Sequence, residues 1–197
     1  AVNGLEKNAS RINNLLKEGA SLHTQGKLGE AEALYRSVLM EAPDEFNALH
    51  LLAVIEYQTG RLDDALNNLK RAIELNPAAA EAYYNLGLVL GASFRYEEAV
   101  VNFNRAIELN QEYAAAFNGL GVVLNTLNQP DEALTHYRKA LEIEPGLVEA
   151  NNNAGNIYRA KGDFSKALEC LESALADNPD YFEALLNRGL VLADLKR

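Results

Sequence analysis

Asparagine amides are the side chains of this sequence whose chemistry points most clearly to a binding site. An amide offers one acceptor and two donors at a fixed spacing, so it can pair with the C=O and N–H groups of an extended backbone whatever side chains that backbone carries. For the cluster Asn152, Asn153 and Asn156 we predict this role, rather than simple tolerance of asparagine on a wet helix face. For Asn125 and Asn187, taken singly, both interpretations stay open.

Tyrosines and one arginine complete the predicted partner-binding set. Tyr57 and Tyr84 carry amphipathic rings that can anchor apolar side chains of a partner. Besides Lys17, Arg159 is the main cation expected on the predicted binding surface, although a single arginine more often pairs with a neighbouring carboxylate, such as Glu149, than captures a ligand. The predicted partner-binding residues are Tyr57, Tyr84, Asn85, Asn118, Asn125, Asn152, Asn153, Asn156, Arg159 and Asn187.

Residues that commonly perform catalysis are present but are not arranged for it. His23, His50 and His136 are spaced so that no two share adjacent helical turns with a carboxylate, and we expect surface histidines. Cys170 has no basic residue in the CLES segment, which favours a buried or idle thiol over a reactive one. Serine-hydrolase, phosphate-loop and dinucleotide-binding motifs are absent. We therefore predict that this chain is not itself an enzyme and uses no metal or cofactor, though it could be part of a larger enzyme.

The composition excludes several other classes of protein. Of 197 residues 48% are hydrophobic, enough to cover a substantial core, and a single cysteine excludes an internal disulfide framework. A net charge of −10 argues against a nucleic-acid partner, which needs clustered Lys and Arg. No apolar run approaches the roughly 18 to 20 residues of a membrane span, and no secretory signal is visible. We expect a cytoplasmic protein, without nucleic-acid or membrane partners.

A repeat of 34 residues positions these side chains. Five columns of similar residues keep this interval along the chain with no insertion or deletion, although Gln111 replaces the proline of one column. The columns begin at Gly19, Ala31, Tyr35, Val38 and Pro43.

Each repeat is predicted to form two helices. In one repeat, apolar residues recur at helical spacing over residues 80–93 and again over residues 97–110. Gly60 and Gly162 are expected to end first helices in the left-handed conformation. A small residue on the first helix, such as Gly87, and an alanine on the second, such as Ala99, would let the two backbones approach closely. Acidic pairs such as Glu97–Glu98 suit the first turn of second helices, where the helix dipole favours negative charge.

The columns resemble the tetratricopeptide repeat (TPR) signature: a bulky residue at position 4, Leu at 7, Gly or Ala at 8, Ala at 20, an aromatic residue or Leu at 24, Ala at 27 and Pro at 32. The resemblance implies an all-α fold, a right-handed superhelical solenoid of helix-turn-helix units. Three residues depart from this signature, namely Asn151 at position 4 and Glu18 and Arg188 at position 7. We expect those sites to be looser or more solvated. The predicted segments are an N-terminal extension (1–11), five units (12–45, 46–79, 80–113, 114–147 and 148–181) and a half-repeat (182–197).

In its detailed sequence the chain is also similar to TPR regions that precede catalytic domains in bacterial enzymes, above all enzymes related to O-linked N-acetylglucosamine transferases. In such transferases an asparagine at position 6 recurs along the inner surface and holds the backbone of extended peptides. Position 6 here carries Asn85, Asn153 and Asn187, with Asn118 adjacent to it in another unit. The series of asparagines at position 6 is therefore incomplete in this chain. The lysine clamp of TPR modules that bind C-terminal carboxylates is missing at positions 2 and 5, so we do not expect that mechanism.

The leading prediction is a scaffold for protein–protein interaction that binds a peptide or partner segment on a concave groove lined by the first helices. One alternative is the substrate-recruiting region of a larger transferase. Another is a self-assembly module, because the last helix lacks a second-helix partner and its Leu185 and Leu192 could pack against another copy, giving a homo-oligomer.

Overall fold

The structure is a computed structural model that describes residues 2–196, with side chains from residue 6 onward. Within that range it contains eleven α-helices and no strand. The predicted all-α fold class is therefore confirmed. Residues 1 and 197, which belong to the two predicted terminal segments, lie outside the described residues.

The helices fall into two compact units, the first of which extends to Arg95. Within it α1 packs on α2, α3 packs on α4, and α4 packs on α5. The segment predicted as an N-terminal extension is helical from residue 2 and continuous with α1. The helices of the first unit are α1 (Val2–Thr24), α2 (Leu28–Glu41), α3 (Phe46–Gln58), α4 (Leu62–Leu75) and α5 (Ala80–Ala92).

The second unit begins at Tyr96 and holds the remaining helices. Here α7 packs on α8 and α9 on α10 as helical hairpins, while α6 packs on α7, α8 on α9 and α10 on α11. The predicted helices 80–93 and 97–110 correspond to α5 and α6 to within one residue at each end. The helices of the second unit are α6 (Tyr96–Leu109), α7 (Ala114–Thr126), α8 (Pro130–Ile143), α9 (Val148–Ala160), α10 (Phe164–Asp177) and α11 (Phe182–Asp194).

The repeated small residues make room for the large residue at position 24 of the same repeat. A Cβ atom added at Gly121 on α7 would lie 2.5 Å from Cε1 of Tyr137 on α8, and one added at Gly19 would lie 2.5 Å from Cε1 of Tyr35. Both tyrosines are almost completely buried. The small-residue column thus sets the depth to which each ring enters the hairpin, because a protein interior tolerates little overlap.

The turn between the two helices of each repeat places one residue in the left-handed conformation, again at an interval of 34 residues. Gly26, Gly60 and Gly162 have φ angles of 75°, 77° and 77°, which confirms the predicted C-caps at the last two. The equivalent positions carry Phe94 and Asn128, at φ 60° and 61°. Phenylalanine at this position carries a steric cost that glycine avoids.

Asn151 is not loosely solvated, so the expectation for that departure is wrong. It is only 5% exposed, and its Nδ2 donates to the Pro145 carbonyl oxygen at 3.2 Å and to Ser173 Oγ at 3.4 Å. These two acceptors pair with the Nδ2 group of Asn151 inside the second unit, where an apolar residue was expected. Glu18 is exposed, as predicted for position 7, whereas Arg188 is half-buried.

Candidate functional site

Four asparagines on the first helices of the second unit form two hydrogen-bonded pairs, which we call the amide ladder. Asn153 Nδ2 on α9 donates to Asn118 Oδ1 on α7 at 3.2 Å. Asn187 Nδ2 on α11 donates to Asn152 Oδ1 on α9 at 2.9 Å. Both pairs are 35 residues apart, because position 5 of one repeat faces position 6 of the next. The ladder therefore links three consecutive first helices.

The ladder leaves hydrogen-bonding capacity beyond these two bonds. Each donating amide, on Asn153 and Asn187, has a second N–H and its own carbonyl oxygen, while Asn118 uses only its oxygen here. Asn118, Asn153 and Asn187 are half-buried, so a ligand can reach them. Asn152 is only 5% exposed, and its described contact orients Asn187. An extended backbone could pair with the three half-buried amides, with Asn152 as their support.

Three further predicted residues lie on the same helices. Asn156 on α9 is half-buried and Asn125 on α7 is exposed. Arg159 is paired, as expected, but its Nε donates to Asp194 Oδ2 at 2.8 Å rather than to Glu149. Arg159 and Asp194 are again 35 residues apart and repeat the geometry of the ladder at positions 12 and 13. This ion pair leaves Arg159 less free to capture an anionic ligand.

The remaining predicted residues, Tyr57, Tyr84 and Asn85, belong to the first unit. Both tyrosines are half-buried. Asn85 Nδ2 on α5 lies 2.6 Å from His50 Nε2 on α3, also 35 residues away. Burial lowers the pKa of His50 below its ordinary value, although nearby Glu81 acts in the opposite direction. A neutral His50 ring can therefore accept a hydrogen bond from the Asn85 amide.

Sequence reasoning missed the role of the histidines. His50 is half-buried and stacked on Phe46, with ring centroids 5.7 Å apart, rather than a simple surface residue. His23 Nε2 on α1 lies 2.8 Å from Gln58 Oε1 on α3. The spacing of 35 residues is visible in the sequence, but the contact between residues at this spacing depends on how neighbouring repeats stack.

Cys170, which the sequence predicts to be a buried or idle thiol, is half-buried on α10. Burial raises the pKa of the Cys170 thiol to about 11, so it is protonated at neutral pH and a poor nucleophile. No group of three or more His, Cys, Asp or Glu side chains among the described residues could hold a metal ion. Over the same part of the chain, no helix is both long enough and apolar enough to cross a membrane.

Comparison with known proteins gives a consistent result. Models of the family described as TPR repeat or tetratricopeptide repeat match residues 53–93 and 155–196, 79–145, 16–66, and 136–169. MamA, whose structure has been solved, is 31% identical in sequence to this chain. The match covers 82% of this chain and 94% of the MamA chain, and the two structures superpose with a TM-score of 0.70. YrrB, described as a TPR protein with an unusual peptide-binding site, is 26% identical over 95% of this chain and 97% of its own, with a TM-score of 0.67.

Two longer proteins share only part of their length with this chain. The O-GlcNAc transferase of Thermobaculum terrenum is 32% identical over 68% of this chain but only 26% of its own, with a TM-score of 0.66. The rhomboid protease GluP of Bacillus subtilis (strain 168) is 29% identical over 86 residues, which are 44% of this chain and 17% of that protein. With the signature columns, the stacked hairpins and these matches together, the chain belongs to the tetratricopeptide repeat family.

Proposed function

We propose that this chain is a protein-interaction module that binds an extended segment of a partner along the first helices of its second unit. The amide ladder carries the proposal, because it presents half-buried amides from three consecutive first helices, α7, α9 and α11. An extended segment has a C=O and an N–H at every residue and cannot satisfy them internally, so such amides suit it. The peptide-binding site described for YrrB supports this reading by similarity.

The acidic character of the chain influences which partners it prefers. A net charge of −10 creates a negative field that raises the association rate of basic segments and repels acidic ones, while neutral segments are not steered. Asn156 and Asn125 add amides to the same helices, and Tyr57, Tyr84 and Asn85 form a corresponding set in the first unit. We therefore expect the amides to bind the partner's backbone, and the negative charge of the chain to favour basic over acidic segments.

A peptide array provides the test. Twelve-residue peptides that bind the wild type are selected from a random array, and their affinities are measured by fluorescence anisotropy. Asn153→Ala combined with Asn187→Ala should weaken binding by about tenfold, because two hydrogen bonds at about 0.5–1.5 kcal/mol each are lost. The matched control combines Asn67→Ala on α4 with Asn102→Ala on α6, both on second helices. Equal affinity of the two double variants, with both folded, would reject the site.

The second candidate is the recruiting region of a larger transferase, and it is favoured by the 32% identity to the O-GlcNAc transferase of Thermobaculum terrenum. The same ladder would then hold a substrate protein for a catalytic domain elsewhere in a longer chain. The reading frame of the source gene separates this from the leading proposal: a catalytic domain in the same frame supports it, and its absence removes it.

Self-assembly is favoured by the exposed apolar residues of α11. Six large apolar side chains of the C-terminal segment are at least 39% exposed, and a Cβ atom added at Gly189 on the same helix would meet no atom within 4 Å. At the equivalent place in earlier hairpins, Gly121 and Gly155 lie against Tyr137 and Leu171. The six residues are Phe182, Leu185, Leu186, Leu190, Leu192 and Leu195.

A further inference from the structure

A cleft of about 1010 Å³ lies in the second unit and is lined by residues of α6, of α8 and of the turn after α6, together with Phe117 of α7. Its apolar lining comes from Phe117, which is 8% exposed, and from the half-buried Ile107 and Ile143. Three carboxylates, on Glu108, Glu112 and Glu142, also line the cleft and are exposed. The cleft therefore combines a partly buried apolar floor with an exposed acidic rim.

The rim has an excess of negative charge. Lys139 is the basic residue that lines this cleft, and its Nζ lies 3.0 Å from Glu142 Oε2. Arg105 Nη1 lies 2.8 Å from Glu108 Oε2. Both pairs are exposed, and exposed ion pairs contribute only about 0–1 kcal/mol, so an incoming cation can compete for their carboxylates.

The next repeat differs from this cleft at three lining positions, one of which is Asn151, itself a departure from the bulky residue of position 4. Thirty-four residues on, Phe117 is replaced by Asn151, Lys139 by Ser173 and Gln111 by Pro145. There the Asn151 amide donates to the Pro145 carbonyl and to Ser173 Oγ, so the equivalent residues bond to one another. Around Phe117, at the one repeat end that lacks the proline, the three apolar side chains Ile107, Phe117 and Ile143 lie among polar and charged ones instead.

We propose that this cleft is a second docking site, which binds a Lys or Arg side chain from a partner segment that also carries apolar residues. The methylene stem of such a side chain covers Ile107, Phe117 and Ile143, while its charged end reaches Glu108, Glu112 and Glu142. Long cationic side chains combine an apolar stem with a charged end, which matches a floor and rim of this kind. Charge complementarity identifies the partner as basic. The carboxylates of this cleft lie on α6, on α8 and in the turn between α6 and α7, whereas the amide ladder lies on α7, α9 and α11.

The test uses a fluorescein-labelled peptide of four Lys-Leu dipeptides and a matched peptide of four Glu-Leu dipeptides. Anisotropy is recorded at about 0.15 M salt, where surface charges further apart than about 8 Å are largely screened. The combined variant Glu108→Gln, Glu112→Gln and Glu142→Gln should bind the Lys-Leu peptide at least tenfold more weakly than the wild type. The control Glu6→Gln, Glu74→Gln and Glu172→Gln removes the same charge from exposed positions outside the cleft and should change affinity by less than twofold.

A second pair of variants adds a cation instead of removing carboxylates. Gln111→Arg places a positive charge in the cleft, and Gln25→Arg places it at an exposed position in the first unit. Only Gln111→Arg should weaken binding, by about fivefold or more, with unchanged thermal unfolding. Three results would each overturn the proposal. They are equal weakening of binding by both triple variants, equal affinity of the wild type for the Glu-Leu and Lys-Leu peptides, and no binding of the Lys-Leu peptide to the wild type.

Discussion

At the scale of single residues, the buried hydroxyl of Tyr35 lowers the stability of the core. The residue is fully buried, and its Oη has no hydrogen-bond partner. Burial accordingly raises the pKa of Tyr35 above its ordinary value. The ring, by contrast, fills the space that Gly19 leaves open. The ring of Tyr35 therefore stabilises the first hairpin, and its hydroxyl destabilises it.

Tyr35→Phe should stabilise the protein, because it removes the unpaired hydroxyl and keeps the ring. We expect the free energy of unfolding to rise by about 1 kcal/mol in urea titrations, since an unsatisfied buried polar group costs about 1–3 kcal/mol. Tyr158→Phe, at a half-buried position, is the control and should change stability less. A loss of stability in Tyr35→Phe would show that the hydroxyl has a partner.

The glycine column offers a matched pair of substitutions. Gly121→Ala should destabilise by about 1–3 kcal/mol, because its Cβ would lie 2.5 Å from the Tyr137 ring. Gly189→Ala has no atom within 4 Å of the added Cβ and should stabilise by up to about 1 kcal/mol through helix propensity. Thermal unfolding followed by circular dichroism measures both, and effects of the same sign would contradict the packing described.

At the scale of helices, Glu56 joins three elements of the first unit. It lies on α3, is 2% exposed, and accepts a hydrogen bond from Asn68 Nδ2 on α4 at 2.8 Å. Arg36 Nη2 on α2 lies 3.9 Å from its Oε1. Burial raises the pKa of the Glu56 carboxyl and Asp64 adds to the rise, while Asn68, Arg61 and Arg36 oppose it. The ionised carboxylate is therefore less stable in the folded chain than in water.

This raised pKa gives a pH dependence with a definite sign. A carboxyl with a higher pKa in the folded state binds protons there first, so its contribution to stability grows as pH falls towards its ordinary range near 4.5. Glu56→Gln, whose side-chain oxygen can still accept from Asn68, should be more stable than the wild type at pH 7. That advantage should shrink as pH falls from 7 to about 4 in urea titrations. An advantage independent of pH would contradict the assignment.

Helices and their order could be predicted from the sequence, because apolar spacing, the turn positions and the repeat all act over short distances. The burial of Asn151 could not, because its acceptors include Ser173, which is 22 residues away on another helix. The ladder shows the same limit: counting placed Asn153 and Asn187 at position 6, but not their pairing with Asn118 and Asn152. Contacts between repeats depend on how the hairpins stack, which no local pattern specifies.

At the scale of the whole molecule, the exposed residues of α11 bear on self-association. Leu192→Glu should abolish any concentration-dependent association that sedimentation velocity detects in the wild type, because it places a charge among exposed apolar side chains. Met40→Glu makes a similar change at a residue on α2 that is 86% exposed, and should leave association unchanged. A monomer at every concentration, or association that survives Leu192→Glu, would remove this role for α11.

The most direct test of the proposed function is an NMR titration with a neutral peptide selected by the wild type. Side-chain amide resonances of Asn118, Asn153 and Asn187 should shift as the peptide is added, because these half-buried amides would bond to its backbone. The side-chain resonances of Asn67 and Asn102, on second helices, should stay in place. Shifts confined to the second helices, with the ladder amides unmoved at saturation, would contradict binding along the first helices.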